Sequence, residues 1–168
     1  MTATNIYDFV GEICTEIGVN YDFGSYKSVQ KRLMNSARNG KPIASRYPLV
    51  MLVTSDKVEQ AEVDPSLNTT YPLHLIIVAI SGPHWNDQKR LDDNFKAVLY
   101  PIYKQLLEKF RRYSKNTYSE LPHSKVDHFY YSASTAKEAN KLAGYLDAIE
   151  LTGLEIKLNF NENCTENE

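Results

Sequence analysis

Asp147, Glu155 and Lys157 come closest to a chemical constellation in this chain. A metal-dependent nuclease gathers acids around a divalent ion, with a lysine beside them. In Glu155-Ile-Lys157 the carboxylate and the ammonium share one face of an extended strand. A bare Glu-x-Lys is common, however, and no Pro-Asp pair precedes it at suitable spacing. A small magnesium-dependent nuclease is therefore the alternative reading, not the leading one.

Other reactive residues are scattered. His123 and His128 flank Asp127, but their spacing matches no standard zinc or iron pattern, and His74 and His84 stand apart. Asp92 and Asp93 fall on the wet side of a helix, where nothing would split their pKa values for acid–base work. No glycine-rich phosphate loop and no nucleophile elbow is present. Cys14 and Cys164 form neither a metal-type nor a redox-type pair, which fits a reducing compartment. The residues thus suggest no catalytic site, no metal and no cofactor.

Composition sets further bounds. The chain has 168 residues, enough for one domain with a real core, and a net charge of −2 gives no global pull towards nucleic acid. The 12 tyrosines suit half-buried strand positions or protein interfaces equally. No charged start leads into an apolar stretch, so no secretory signal is expected. No apolar run approaches the roughly 20 residues of a membrane helix.

The element that organises the rest is the stretch 85–113. Leu91, Phe95, Val98, Leu99, Ile102, Leu106 and Phe110 recur at steps of three and four, the stripe of an amphipathic helix. Pro101 lies within it and predicts a kink or local break near Val98–Tyr100. A first helix is expected over Thr4–Ile17, capped by Thr4 or Asn5 and ended by Gly18. Tyr21-Asp-Phe-Gly24 reads as a turn. Ser25–Arg38 reads as a second helix, with Val29, Leu33, and Tyr26 and Ala37 as further candidates, turned inward.

Leu49–Thr54 is a continuous apolar run suited to a strand buried on both faces, and Thr70–Ser81 is a second strand. The long polar connection between them lets the two pair antiparallel. Val126–Ser132 reads as a third strand and Ser134–Leu142 as a short helix. The strands 145–151 and 154–160 close the chain. Thr152-Gly153 between them is either a tight turn or a bulge within one bent strand. These elements do not alternate strand-helix-strand. The expected class is α+β: a mostly antiparallel sheet, the long helix packed on one face, and an N-terminal helix. Residues 1–160 form one domain and 161–168 an acidic tail expected to be disordered.

Three segments carry a likeness. They are Arg46-Tyr-Pro-Leu-Val50, the long helix with Gln88-Lys-Arg-Leu91 and Asn94-Phe-Lys-Ala-Val-Leu-Tyr-Pro-Ile-Tyr103, and the closing Leu146-Asp-Ala-Ile-Glu-Leu-Thr-Gly-Leu-Glu-Ile-Lys-Leu158. Together the chain resembles small neck or tail proteins of tailed bacteriophages, of the tail-terminator or tail-completion type, particularly those infecting Bacteroides-type bacteria. The resemblance implies a non-enzymatic virion protein, a tail terminator or head–tail joining subunit. It would form a homo-oligomeric ring at the neck, six copies for a terminator, and meet tail-tube or connector proteins. It implies assembly in the host cytoplasm, residence in the virion and no membrane partner. A monomeric adaptor domain remains the other non-enzymatic alternative.

A ring subunit needs two different complementary faces. Gly24–Arg46 carries Lys27, Lys31, Arg32, Arg38, Lys41 and Arg46 and no acid, whereas the Ser55–Asp64 loop holds Asp56, Glu59, Glu62 and Asp64 against Lys57 alone. These two segments are the expected interface between subunits or with a stacked ring. If the basic segment lines the lumen instead, it would touch passing DNA through phosphates without reading sequence.

Overall fold

A computed structural model describes residue 3 and residues 5–35, 37–38, 41–54, 69–114, 121–131 and 145–158. In order, these form α1 (Ile6–Glu16), β1 (Asn20–Ser25), α2 (Tyr26–Asn35), the short pair β2 (Ala37–Arg38) and β3 (Lys41–Pro42), and a 3-10 turn (Ala44–Arg46). Then come β4 (Leu49–Thr54), β5 (Thr69–Ile80), a 27-residue helix α3 over residues 87–113, β6 (Ser124–His128) and β7 (Leu146–Leu158). The fold is α+β. Its main sheet has five strands in the order β1-β4-β5-β7-β6. Only β1 and β4 pair in parallel, and the other three pairings are antiparallel.

Both sheet faces are covered. On one, Val50, Leu52, Leu75, Ile77, Ile149 and Leu151 meet Phe9 and Ile13 of α1 and Phe95, Leu99, Leu106 and Phe110 of α3. On the other, Met51, Val53, Ile76, Val78 and Ala148 meet Val29 and Leu33 of α2. Apolar residues at the first five positions of β4 follow from this double burial. Asn5 caps α1, its side chain accepting from the Asp8 amide at 2.9 Å, and Gly18 leaves the helix with φ +72°. Glu16 and Lys109 tie α1 to α3 at the surface at 2.7 Å.

The closing strand is one strand with a bulge. Leu73 pairs with Leu154 and Leu75 with Leu151, so His74 alone opposes Thr152 and Gly153. The extra residue reverses the alternation of β7. Ile149 and Leu151 face the α1/α3 side before it, and Leu154, Ile156 and Leu158 face the same side after it. Without the bulge, those last three would turn away from the core.

Two expectations are corrected. Residues 20–25 form an edge strand, not a turn: six parallel partners on β4 override the turn-prone Asn, Asp, Gly and Ser. Tyr26 lies exposed on α2, and Ala37 belongs to β2. The irregularity expected near Val98–Tyr100 is a change of helix type, and the chain stays helical through Pro101. Its Leu91–Leu99 stretch is π-helical, and the Tyr100 amide donates to the Phe95 carbonyl five residues back. The wider turn carries the helix past a ring that would press on the carbonyl of Ala97. The same widening changes which residues face inward. Arg90, Asn94, Phe95 and Leu99, at steps of four and five, are buried, while Leu91 and Val98 are only half-buried. The expected helix 134–142, the loop 55–68 and the tail lie outside the described residues.

Candidate functional site

The two outer strands carry the unusual surface. Five large apolar side chains, Phe23, Tyr26, Val126, Phe129 and Tyr130, are 36% to 50% exposed. Phe23, Val126, Phe129 and Tyr130 lie at the outer strands of the main sheet, whereas Tyr26 reaches over to His74 of the central strand β5. Phe23 belongs to β1 and Tyr26 to the first turn of α2, which follows it directly. Val126 belongs to β6, and Phe129 and Tyr130 to the turn that leaves it. Among the described residues no strand pairs with the outer side of β1 or of β6. Each edge is held rigid from behind. Phe23 stacks on Tyr7 at 4.9 Å and on Tyr21 at 6.0 Å. Phe129 packs on Phe95 of α3 at 4.5 Å, and Tyr130 lies over the Arg90 guanidinium at 3.7 Å.

Beneath the β6 edge is a buried polar network. Arg90 and Asp147 have no solvent exposure and meet at 2.6 Å. Arg90 also donates to Ser81 Oγ at 2.6 Å and to the carbonyls of Gly82 at 2.9 Å and Trp85 at 3.2 Å. Asp147 accepts from Asn94 Nδ2 at 2.8 Å and from the Tyr130 amide at 3.0 Å. The left-handed backbone of Tyr130, φ 55°, is thereby tied to β7. Every polar atom of the pair is spent inside the fold, so the network positions rather than reacts.

A second cluster lies on the α2 side of the sheet. Glu150 holds two imidazoles at once, His74 Nε2 at 2.6 Å from one oxygen and His128 Nε2 at 2.9 Å from the other. Tyr26 stacks on His74 at 6.4 Å, and Tyr131 meets His128 edge-on at 5.7 Å. His123, instead, pairs with the Tyr103 hydroxyl at 2.8 Å. Among the described residues no three His, Cys, Asp or Glu side chains are arranged to hold a metal ion.

The residues suggested for nuclease chemistry do not come together. Asp147 is buried on the α3 side of β7. Glu155 lies exposed beyond the bulge, eight positions along, about 25 Å at strand rise. It faces away from the flanking Leu154 and Ile156, which turn to the α3 side. Of the basic group, Lys27 and Lys31 are exposed on α2. Arg32 folds back to Asp22 at 2.6 Å and to the Phe23 carbonyl. Arg38 contributes its backbone to β2. Asp56, Glu59 and Glu62 lie outside the described residues. A cleft of about 210 Å³ between α2 and the sheet, lined by Arg32, Arg46, Leu33 and Met51 among others, adjoins the β1 edge.

No protein-family model, no curated protein and no solved structure matches the chain. Sequence reading missed the apolar edges because single aromatic residues such as Phe23 and Tyr130 are ordinary in a strand or a turn. Only the strand order puts them at opposite ends of one sheet. The available signal was Phe23-Gly24, an apolar residue in a stretch otherwise rich in turn formers.

Proposed function

We propose that this chain is a non-enzymatic subunit of a tailed-phage neck or tail, a terminator or head–tail joining protein that closes into a ring. The observation that carries this reading is the pair of apolar edges. They lie at opposite ends of the sheet and are different from one another. A surface of that kind favours head-to-tail association, which closes into a ring when the rotation allows. A self-complementary patch would favour a two-fold dimer instead. The sequence resemblance to tail-terminator proteins supports the same class. The separation of Asp147 from Glu155 and Lys157 argues against the nuclease alternative.

Light scattering on purified protein across a concentration series, with negative-stain imaging of any large species, tests the proposal. Closed rings with a central hole are the expected result, and counting their subunits gives the symmetry. A protein that stays monomeric and cleaves DNA in magnesium, with cleavage lost in Glu155→Ala, would overturn it.

A further inference from the structure

We infer that neighbouring copies join by pairing the free edge of β6 with the free edge of β1, so that one sheet runs on through the assembly. The inference rests on the ring reading above and names the contact that would build it. Three features point to a second copy as the occupant of each edge.

The first is polarity. Taking β4 as the reference, β1 runs with it, β5 against it, β7 with it and β6 against it. The two outer strands therefore run in opposite directions. A second copy brought alongside by rotation about an axis near the strand direction presents its β1 antiparallel to β6. Antiparallel pairing needs no crossover and leaves each side chain on the sheet face it already occupies. The strands also match in length, six residues in β1 and five in β6.

The second is apolar content. Unpaired edges are normally blunted by charge or proline. Here neither strand contains proline, the charges they carry are paired within the fold, Asp22 with Arg32 and Lys125 with Asp127, and Val126 and Phe23 stand exposed at the middle of their strands. Phe23 projects to the α1 side and Val126 to the α2 side, so pairing the edges would set a neighbouring strand beside each on its own face.

The third is charge. Val126 pairs with Glu150, and both project to the α2 side of the sheet, where Glu150 is about one quarter exposed. In a continued sheet, α2 of the incoming copy lies on that same side. It brings the exposed Lys27 and Lys31 towards the Glu150 carboxylate. Ion pairs of this kind set register and orientation more than they add affinity.

The test has two arms. Amide hydrogen exchange is measured on the assembled and the monomeric wild-type chain. Exchange over Asn20–Ser25 and Ser124–His128 should slow together on assembly. The second arm uses Phe23→Lys and Val126→Lys, each checked for an unchanged circular-dichroism spectrum. Either variant alone should lose all species above the monomer. Mixed in equal amounts they should give a dimer and nothing larger, because only one sound β6 edge meets one sound β1 edge. Rings whose two edges exchange as fast as in the monomer overturn the inference and leave the ring reading standing. A variant pair in which only one edge matters also overturns it, in favour of a two-fold contact. Wild-type chain that never leaves the monomer overturns the inference and the ring reading together.

Discussion

The guanidinium of Arg90 and the carboxylate of Asp147 are 57 residues apart in sequence and 2.6 Å apart in the fold, with no solvent on either. The contact joins the first turn of α3 to the start of β7. Through Ser81, Gly82 and Tyr130 it also fixes the end of β5 and the turn beyond β6. Removing one member leaves an uncompensated buried charge. Asp147→Ala should cost about 3–5 kcal/mol. An apolar replacement of both, Arg90→Met with Asp147→Leu, should cost less than the sum of the single changes. Chemical denaturation of the three variants measures both quantities. If Asp147→Ala left the midpoint unchanged, the network would be irrelevant to stability.

Gly82 sits under the Trp85 indole. A Cβ there would lie 2.3 Å from the indole nitrogen, closer than any real contact, while the Gly82 carbonyl accepts from Arg90. Gly82→Ala must therefore displace the indole and disturb the carbonyl that holds Arg90. A loss of about 1–3 kcal/mol is expected, as for other overpacked sites. Tryptophan fluorescence reads the displacement directly, since the chain has 1 Trp.

What the sequence discloses follows from local pattern, and what it hides does not. Apolar continuity announces β4, and the parity of Leu154, Ile156 and Leu158 announces a half-wet strand. The stripe of α1 and the lower half of α3 are equally plain. The parallel partner of β4 is not, because Asn20–Ser25 is rich in turn formers and gains its strand character only from β4 beside it. Arg90 and Asn94 look like solvent-facing positions on a 3.6-residue wheel. They turn inward because the π-helical stretch ahead of Pro101 lengthens the step. Asp147 reads in the sequence only as a nuclease candidate beside Glu155 and Lys157. Its role turned out to be a buried partner for Arg90, with no local spacing to reveal it. The edges were hidden for the same reason: their apolar residues are few, and only strand order places them at opposite ends.

The bulge in β7 makes a separate prediction. Gly153 adopts φ +69° with open space around its Cβ position. Gly153→Ala should therefore cost only the left-handed backbone term, about 1–2 kcal/mol. Deleting Gly153 removes the extra residue itself. It should turn Leu154, Ile156 and Leu158 off the core face and cost far more than the substitution. Equal thermal stability of the two variants would show that the alternation of β7 does not depend on the bulge.

Alkaline pH should weaken the fold through groups buried in neutral form. Burial pushes the Cys14 thiol from its ordinary 9.0 up to about 12. The Tyr47 hydroxyl is pushed to about 12 by burial. The Tyr100 hydroxyl is likewise pushed to about 12 by desolvation, and then by donating to Asp127. In the unfolded chain these groups lose their protons at ordinary values, so the native state binds more protons than the unfolded state. By linkage, stability is full below about pH 9 and falls from there towards about pH 12. The thiol alone accounts for about 1.4 kcal/mol per pH unit across that window. Urea denaturation along a pH series should show the decline, and Cys14→Ala should reduce its slope by one proton. The same burial should keep Cys14 unlabelled by iodoacetamide in native protein at mildly alkaline pH and expose it on unfolding, because only the thiolate reacts. Rapid native labelling at Cys14, read by peptide mass, would contradict both expectations at once.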